Sequence, residues 1–264
     1  MQITELNPTS MQQLIVPAAA AGHYAARQHL LNLRAHEIGR VLCDLPVFFS
    51  RASNGQYLIS ALCSFVPGQN LWVQQAQWQA LYQPVCLQTY PLFLLGGPDA
   101  ATSRLGIDLT ALQSAATTAV TSTATAPNPT LGEALFDSKG QPTLYLSRQR
   151  ALLEADVEQD FLTYQFCRTL VQWQLLKAVD LVLQMQDGSL QTIQGLATVD
   201  EDKLASLSAA QLAQLQQQGY LALLHGILMS IYQLNALIRR HNQRPELPAV
   251  KTVRLELSRS VTAG

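Results

Sequence analysis

Three observations in this 264-residue sequence predict an α+β fold. Two pairs of apolar runs flank Asn54-Gly55 and Asp187-Gly188, dipeptides that accept positive φ and turn a chain back as a β-hairpin. Two stretches, 147–177 and 220–241, carry apolar residues at helical spacing. Strand signals dominate the N-terminal half and helix signals the C-terminal half, an arrangement in which both halves share one core.

Residues 1–36 are rich in Ala and Gln, hold His23, His29 and His36, and show no clear period, so they read as an N-terminal arm. Val41–Phe49 and Tyr57–Phe65 are the arms of the first hairpin, and Pro67-Gly68 turns the chain after it. Asn70–Val73 reads as a short strand, Trp78–Leu87 as an irregular or helical link, and Tyr90–Leu95 as a further apolar run. An Ala/Thr-rich insertion at 109–130 is low in complexity and ends in two prolines. Within 147–177, Leu153, Val157, Phe161, Tyr164, Val171 and Leu175 form one apolar stripe. Leu162, Phe166, Leu170 and Trp173 widen it, which predicts a helix buried on two sides. The second hairpin pairs Leu181–Met185 with Leu190–Ile193. Asp200 and the Ser208/Gln211 pair then cap two short helices, and Gly219 interrupts before the last long one. Residues 37–246 form the α+β domain, and 247–264 a tail whose alternation at Val253, Leu255 and Leu257 suits an edge strand.

Composition narrows the function classes. Charged residues make up 13% of the chain, about half the usual share, and about thirty glutamines take their place. A net charge of −1 excludes a broad basic surface for nucleic acid, and 48% apolar residues exclude general disorder. The apolar patch Leu14–Ala21 has no Lys or Arg before it, so the reading is cytoplasmic, with surface association left open. Cys43, Cys63, Cys86 and Cys167 are scattered and read as separate reduced thiols. Residues 219–238 lack charge, but His225, Ser230, Gln233 and Asn235 interrupt them, which favours a core helix over a bilayer span.

No complete catalytic constellation is present. His36-Glu37 begins like a zinc-protease helix, but Arg40 stands where the second histidine belongs. Asp200-Glu-Asp202 and the series Glu154–Asp160 are explained as charge at helix N-termini. The chain has no G-x-S-x-G, phosphate loop or dinucleotide glycine pattern, and neither a cofactor nor a metal is expected. Candidate ligand-binding residues are Asn70, Trp72, Trp78, Tyr82 and Tyr90, whose rings suit a pocket or groove, and His225, a histidine in an apolar helix read as core or pocket-edge.

Several segments in order carry a family resemblance. They are Leu45-Pro-Val-Phe-Phe49, Gly68-Gln-Asn-Leu-Trp-Val73, Trp78 with Tyr82 and Pro84, Tyr90-Pro-Leu-Phe93, Leu135 to Pro142, the helix with Phe161 and Phe166, Gly195 to Glu201, and Gly219 to Leu223. Together the series resembles the SapC (surface-array protein C) family of bacterial proteins over roughly residues 40–242. The resemblance implies an uncharacterised class named from genes near a surface-layer locus, many of whose members neighbour halogenase-like and cupin-like proteins. It supplies no catalytic residues. The chain departs from that pattern at Gln74, Gln88, Thr89 and Ile227, where the family commonly keeps an acid, bases and a histidine.

Three functions are compatible with these readings. The first is a non-enzymatic accessory or binding protein that works with a partner enzyme of the halogenase-like or cupin-like kind, or on a peptide-like or surface-polymer ligand. The second is a cofactor-dependent modification enzyme using His225, Asp200 or Asp137, and the third a structural protein of a surface layer. The missing charges within the resembled motifs favour binding over acid–base chemistry.

Overall fold

The structure, a computed structural model, describes residues 2–11, 13–96, 103–116 and 132–258. The fold class is α+β, and the chain divides into two compact units. The first comprises Met1–Arg27, Val73–Gln79 and Val85–Gln159, and the second Gln28–Trp72, Ala80–Pro84 and Asp160–Gly264.

The second unit is built on a six-stranded antiparallel sheet. Its order is Val250–Leu257, Leu176–Met185, Leu190–Val199, Val47–Arg51, Tyr57–Leu62 and Leu30–Leu33. Both hairpins expected from Asn-Gly and Asp-Gly are here, with Gly55 at φ +83° and Gly188 at φ +87°. They meet along a short seam, Leu196 opposite Ser50 and Ala197 opposite Phe49. Phe48 and Leu62 from the first hairpin bury against Leu181, Leu183 and Leu196 from the second, with Leu234 and Leu237 of the last helix closing the cluster. The two halves of the chain therefore share a core in this unit.

The first unit buries a further cluster of its own, in addition to the core that the two halves of the chain share. Here Val16, Ala20, Tyr90, Leu92, Ile107, Leu135 and Leu146 are buried together. A three-stranded sheet, ordered Ile3–Glu5, Arg104–Asp108, Leu92–Leu95, forms one wall. Residues 1–36 are thus no loose arm: they supply Ile3–Glu5, the helix Ala20–Ala25 and the edge strand Leu30–Leu33. Small alanines suit such places because Ala20 and Ala25 pack with almost no exposed surface. Of the expected insertion 109–130, Leu109–Ala116 is helix, and 117–130 lie outside the described residues.

Other departures concern element ends and faces. Only Val73 of the expected strand Asn70–Val73 enters a strand, Val73–Gln74, which turns through Gln75 and Ala76, both at positive φ, into Gln77–Trp78. The long helix is Leu144–Gln172 rather than 147–177. It ends because Gln174 adopts φ +55° and the Leu175 N–H returns to the Leu170 carbonyl, so Leu176 already begins a strand. Asp200 and Ser208 cap their helices as expected, Ser208 through a full capping box with Gln211. The last helix comes in two pieces, Tyr220–Ser230 and Leu234–Asn242, joined by a 3-10 turn. By length and composition it is apolar enough to cross a membrane, with a mean hydropathy of 1.6. It buries one stripe, Leu224, Ile227, Ser230, Leu234 and Leu237, and only 28% of its most apolar window is buried, so it is covered along one face and not a fully enclosed core helix.

Candidate functional site

The residues singled out in the sequence fall into both units and have separate local duties. Asn70 is buried and its Oδ1 accepts the Trp72 N–H at 2.9 Å, shaping the turn. Trp72 is also buried, with the Arg240 guanidinium 3.7 Å from its ring centroid, and its Nε1 has no hydrogen-bond partner among the described residues. Tyr82 donates its hydroxyl to the buried Glu37 carboxylate at 2.9 Å and lies under Arg40 at 5.1 Å. These three are in the second unit, whereas Trp78 and Tyr90 belong to the first. Trp78 opposes Val73 in the short hairpin, while Tyr90 stacks on Tyr24 at 4.2 Å and donates to Asp108 at 3.1 Å. His225 departs from the core reading: it is exposed on the open side of its helix.

The two carboxylates considered for chemistry are also occupied. Asp200 accepts the Lys203 N–H as a helix cap, and Asp137 accepts the Lys139 and Gln141 N–H groups in a turn. Among the described residues, no three His, Cys, Asp or Glu side chains gather as a metal site would require.

A built concavity appears elsewhere, in the second unit, between the tip of the first hairpin and the end of the long helix. It is a groove of about 480 Å³. The hairpin contributes Arg51, Asn54, Gln56 and Tyr57, and the helix Tyr164, Cys167, Arg168, Val171 and Gln172. Aromatic packing ties its two walls together: Phe49 lies 6.5 Å edge-on to Tyr57 and 6.4 Å from Phe166, which in turn meets Tyr220 at 4.9 Å. Those contacts fix the helix to the hairpin, so the groove is preformed.

Its electrostatics are one-sided. Arg51 stacks over Tyr57 at 4.8 Å and donates to the Tyr57 hydroxyl at 3.1 Å. Arg168 is exposed on the opposite wall, and no Asp or Glu is among the lining residues. Cys167 is buried, which pushes its thiol up to about 12, so at neutral pH it presents a neutral wall. A second, smaller groove of about 390 Å³ runs between the last helix and the edge strand, with Arg239 and Lys251 among its lining residues.

Beside the first groove lies the face of the long helix that periodicity marks as core. Phe161 is 58% exposed, Tyr164 45% and Val171 50%, whereas Thr163, Phe166, Cys167 and Leu170 on the other side are buried. The expectation of burial on two sides is corrected: one face, with Thr163, Phe166, Cys167 and Leu170, is buried, and the stripe 161–164–168–171 stands in the open. None of the groove's arginines or tyrosines was a sequence candidate. Arg51 and Arg168 lie far apart in the chain and share no motif, and the one available signal, a second apolar stripe on one helix, reads equally as core.

These features define an α+β protein with a preformed amphipathic groove and an open apolar helix face. The SapC family matches residues 6–237 of the 264, and the chain belongs to that family. No curated protein and no solved structure matches the chain.

Proposed function

We propose that this SapC-family chain is a binding or accessory protein whose working surface is the open stripe of the long helix, Phe161, Tyr164 and Val171, together with the groove beside it. One observation carries the reading: three large apolar side chains at helical spacing are exposed on a helix whose opposite face is fully packed. A stripe of this kind marks a partner site, because its burial on association returns free energy that solvent exposure withholds. The occupied states of Asp137 and Asp200 and the exposure of His225 favour this reading over the enzyme alternative. Proteins of the halogenase-like and cupin-like kinds that neighbour the family are the first partners to test.

The test places the photo-cross-linking residue p-benzoylphenylalanine at Tyr164 or, as control, at the exposed Gln216, in the native host. A discrete adduct at 164 that is missing at 216 is expected. No adduct at 164, or the same spread of adducts at both positions, refutes the reading.

A further inference from the structure

We infer that the groove beneath the 51–57 turn holds a carboxylate carried by an apolar peptide segment of the partner, with Arg51 and Arg168 as the anion-holding pair. The inference rests on the binding-protein reading above and names the chemistry of the occupant. Charge complementarity carries it. Two arginines line one cavity with no acid among its lining residues, and Arg168 makes no ion pair among the described residues. Arg51 is already oriented by Tyr57, with one N–H spent on the phenol and the rest of its donors available, so little side-chain entropy remains to be lost on binding. Two turn amides do not compete for an anion, because the Gln56 N–H donates to the Asn54 side chain and the Gly55 N–H to the Ala52 carbonyl.

The walls select the rest of the ligand. Tyr164 and Val171 continue into the open stripe, so an occupant anchored at the arginines runs onto an apolar surface. A small inorganic anion gains nothing from that surface, whereas a peptide with an acidic residue or a chain end next to branched or aromatic residues uses both parts. The volume of about 480 Å³ accommodates a few side chains, not a domain.

The test uses the full-length chain to pan random twelve-residue peptides, and then measures the enriched peptides by fluorescence polarisation. Enriched sequences are expected to place Asp, Glu or a free carboxyl terminus beside apolar residues. Amidating the terminus and changing the acid to its amide in separate peptides tells which carboxylate is held. Arg168→Gln and Arg51→Gln each weaken binding by about tenfold, Arg168→Lys by less, and Lys251→Gln, at the other groove, by less than about twofold. Both arginines are exposed, and circular dichroism checks that the variants remain folded. No enrichment, peptides without acids, or an equal loss in Lys251→Gln overturns the assignment. If adducts at Tyr164 persist while acid preference is missing, the carboxylate assignment alone falls. If acid preference persists without adducts, the partner reading falls.

Discussion

Tyr90 and Asp108 show how a pair that resembles catalytic chemistry can be a structural joint. Asp108 stands immediately before the helix Leu109–Ala116 and accepts from the Thr110 N–H and hydroxyl, from the Gln2 N–H and from Tyr90. Burial pushes its carboxyl up, yet those donors outweigh it and hold it below the usual range. Tyr90 moves the other way, raised first by burial and then by the adjacent carboxylate. The signs set the pH response. The Asp108 contribution is complete above its unfolded value of about 4 and is lost as pH falls through the lower folded value. Tyr90 holds its proton more tightly when folded, so its contribution is complete below about pH 10 and is lost as pH rises from there. Urea midpoints measured across pH should show both flanks. Tyr90→Phe is expected to flatten the alkaline flank and cost about 1 kcal/mol at neutral pH. An alkaline flank identical to that of the wild type would contradict this account.

Among whole elements, the hairpins were legible and the helix faces were not. Asn54-Gly55 and Asp187-Gly188 announce their turns because the residue type answers a local backbone demand. Helical period is a weaker guide, since it groups residues on a face without saying what that face meets. Phe161 and Phe166 lie on nearly opposite sides of one helix, and either could have been the core. The edge strand Leu30–Leu33 was missed for a related reason: four residues in an alanine- and glutamine-rich context carry too few alternations to register. The hairpin Val73–Trp78 hides a further constraint. Its turn residues Gln75 and Ala76 both have positive φ, and a Cβ added to Gly22 would stand 1.6 Å from the Ala76 carbonyl oxygen. Gly22→Ala is therefore expected to cost at least about 2 kcal/mol, by moving backbone against backbone. Gly39→Ala, where nothing lies within 4 Å, should be neutral or stabilise by about 0.5 kcal/mol. Replacing Gln75-Ala76 by Asn-Gly should stabilise by about 1 kcal/mol. Chemical denaturation of the three variants tests this ranking, and a Gly22→Ala variant as stable as the wild type would contradict the contact.

At the scale of the whole molecule, the scarcity of charge and the open stripe act together. With 17 basic and 18 acidic side chains and an isoelectric point near 6.5, the chain has little net charge to keep copies apart near neutral pH. The exposed Phe161, Tyr164 and Val171 then offer the apolar contact that weak repulsion fails to oppose. Purified protein should self-associate weakly and reversibly, most strongly near pH 6.5 and less at pH 8.5, where net charge has grown. Phe161→Ser with Val171→Ser removes side chains that are only about half buried, so it should cost less than a core truncation, about 1–2 kcal/mol, while abolishing the concentration dependence in sedimentation velocity. Phe166→Ala, on the packed face of the same helix, is expected to cost about 3 kcal/mol or more and thus to separate the two faces by their energetics. If the double serine variant unfolds as readily as Phe166→Ala, the stripe is structural and cannot serve as a surface for partners. If it stays folded and still associates as the wild type does, the contact between copies runs through another surface, and the low charge alone accounts for it.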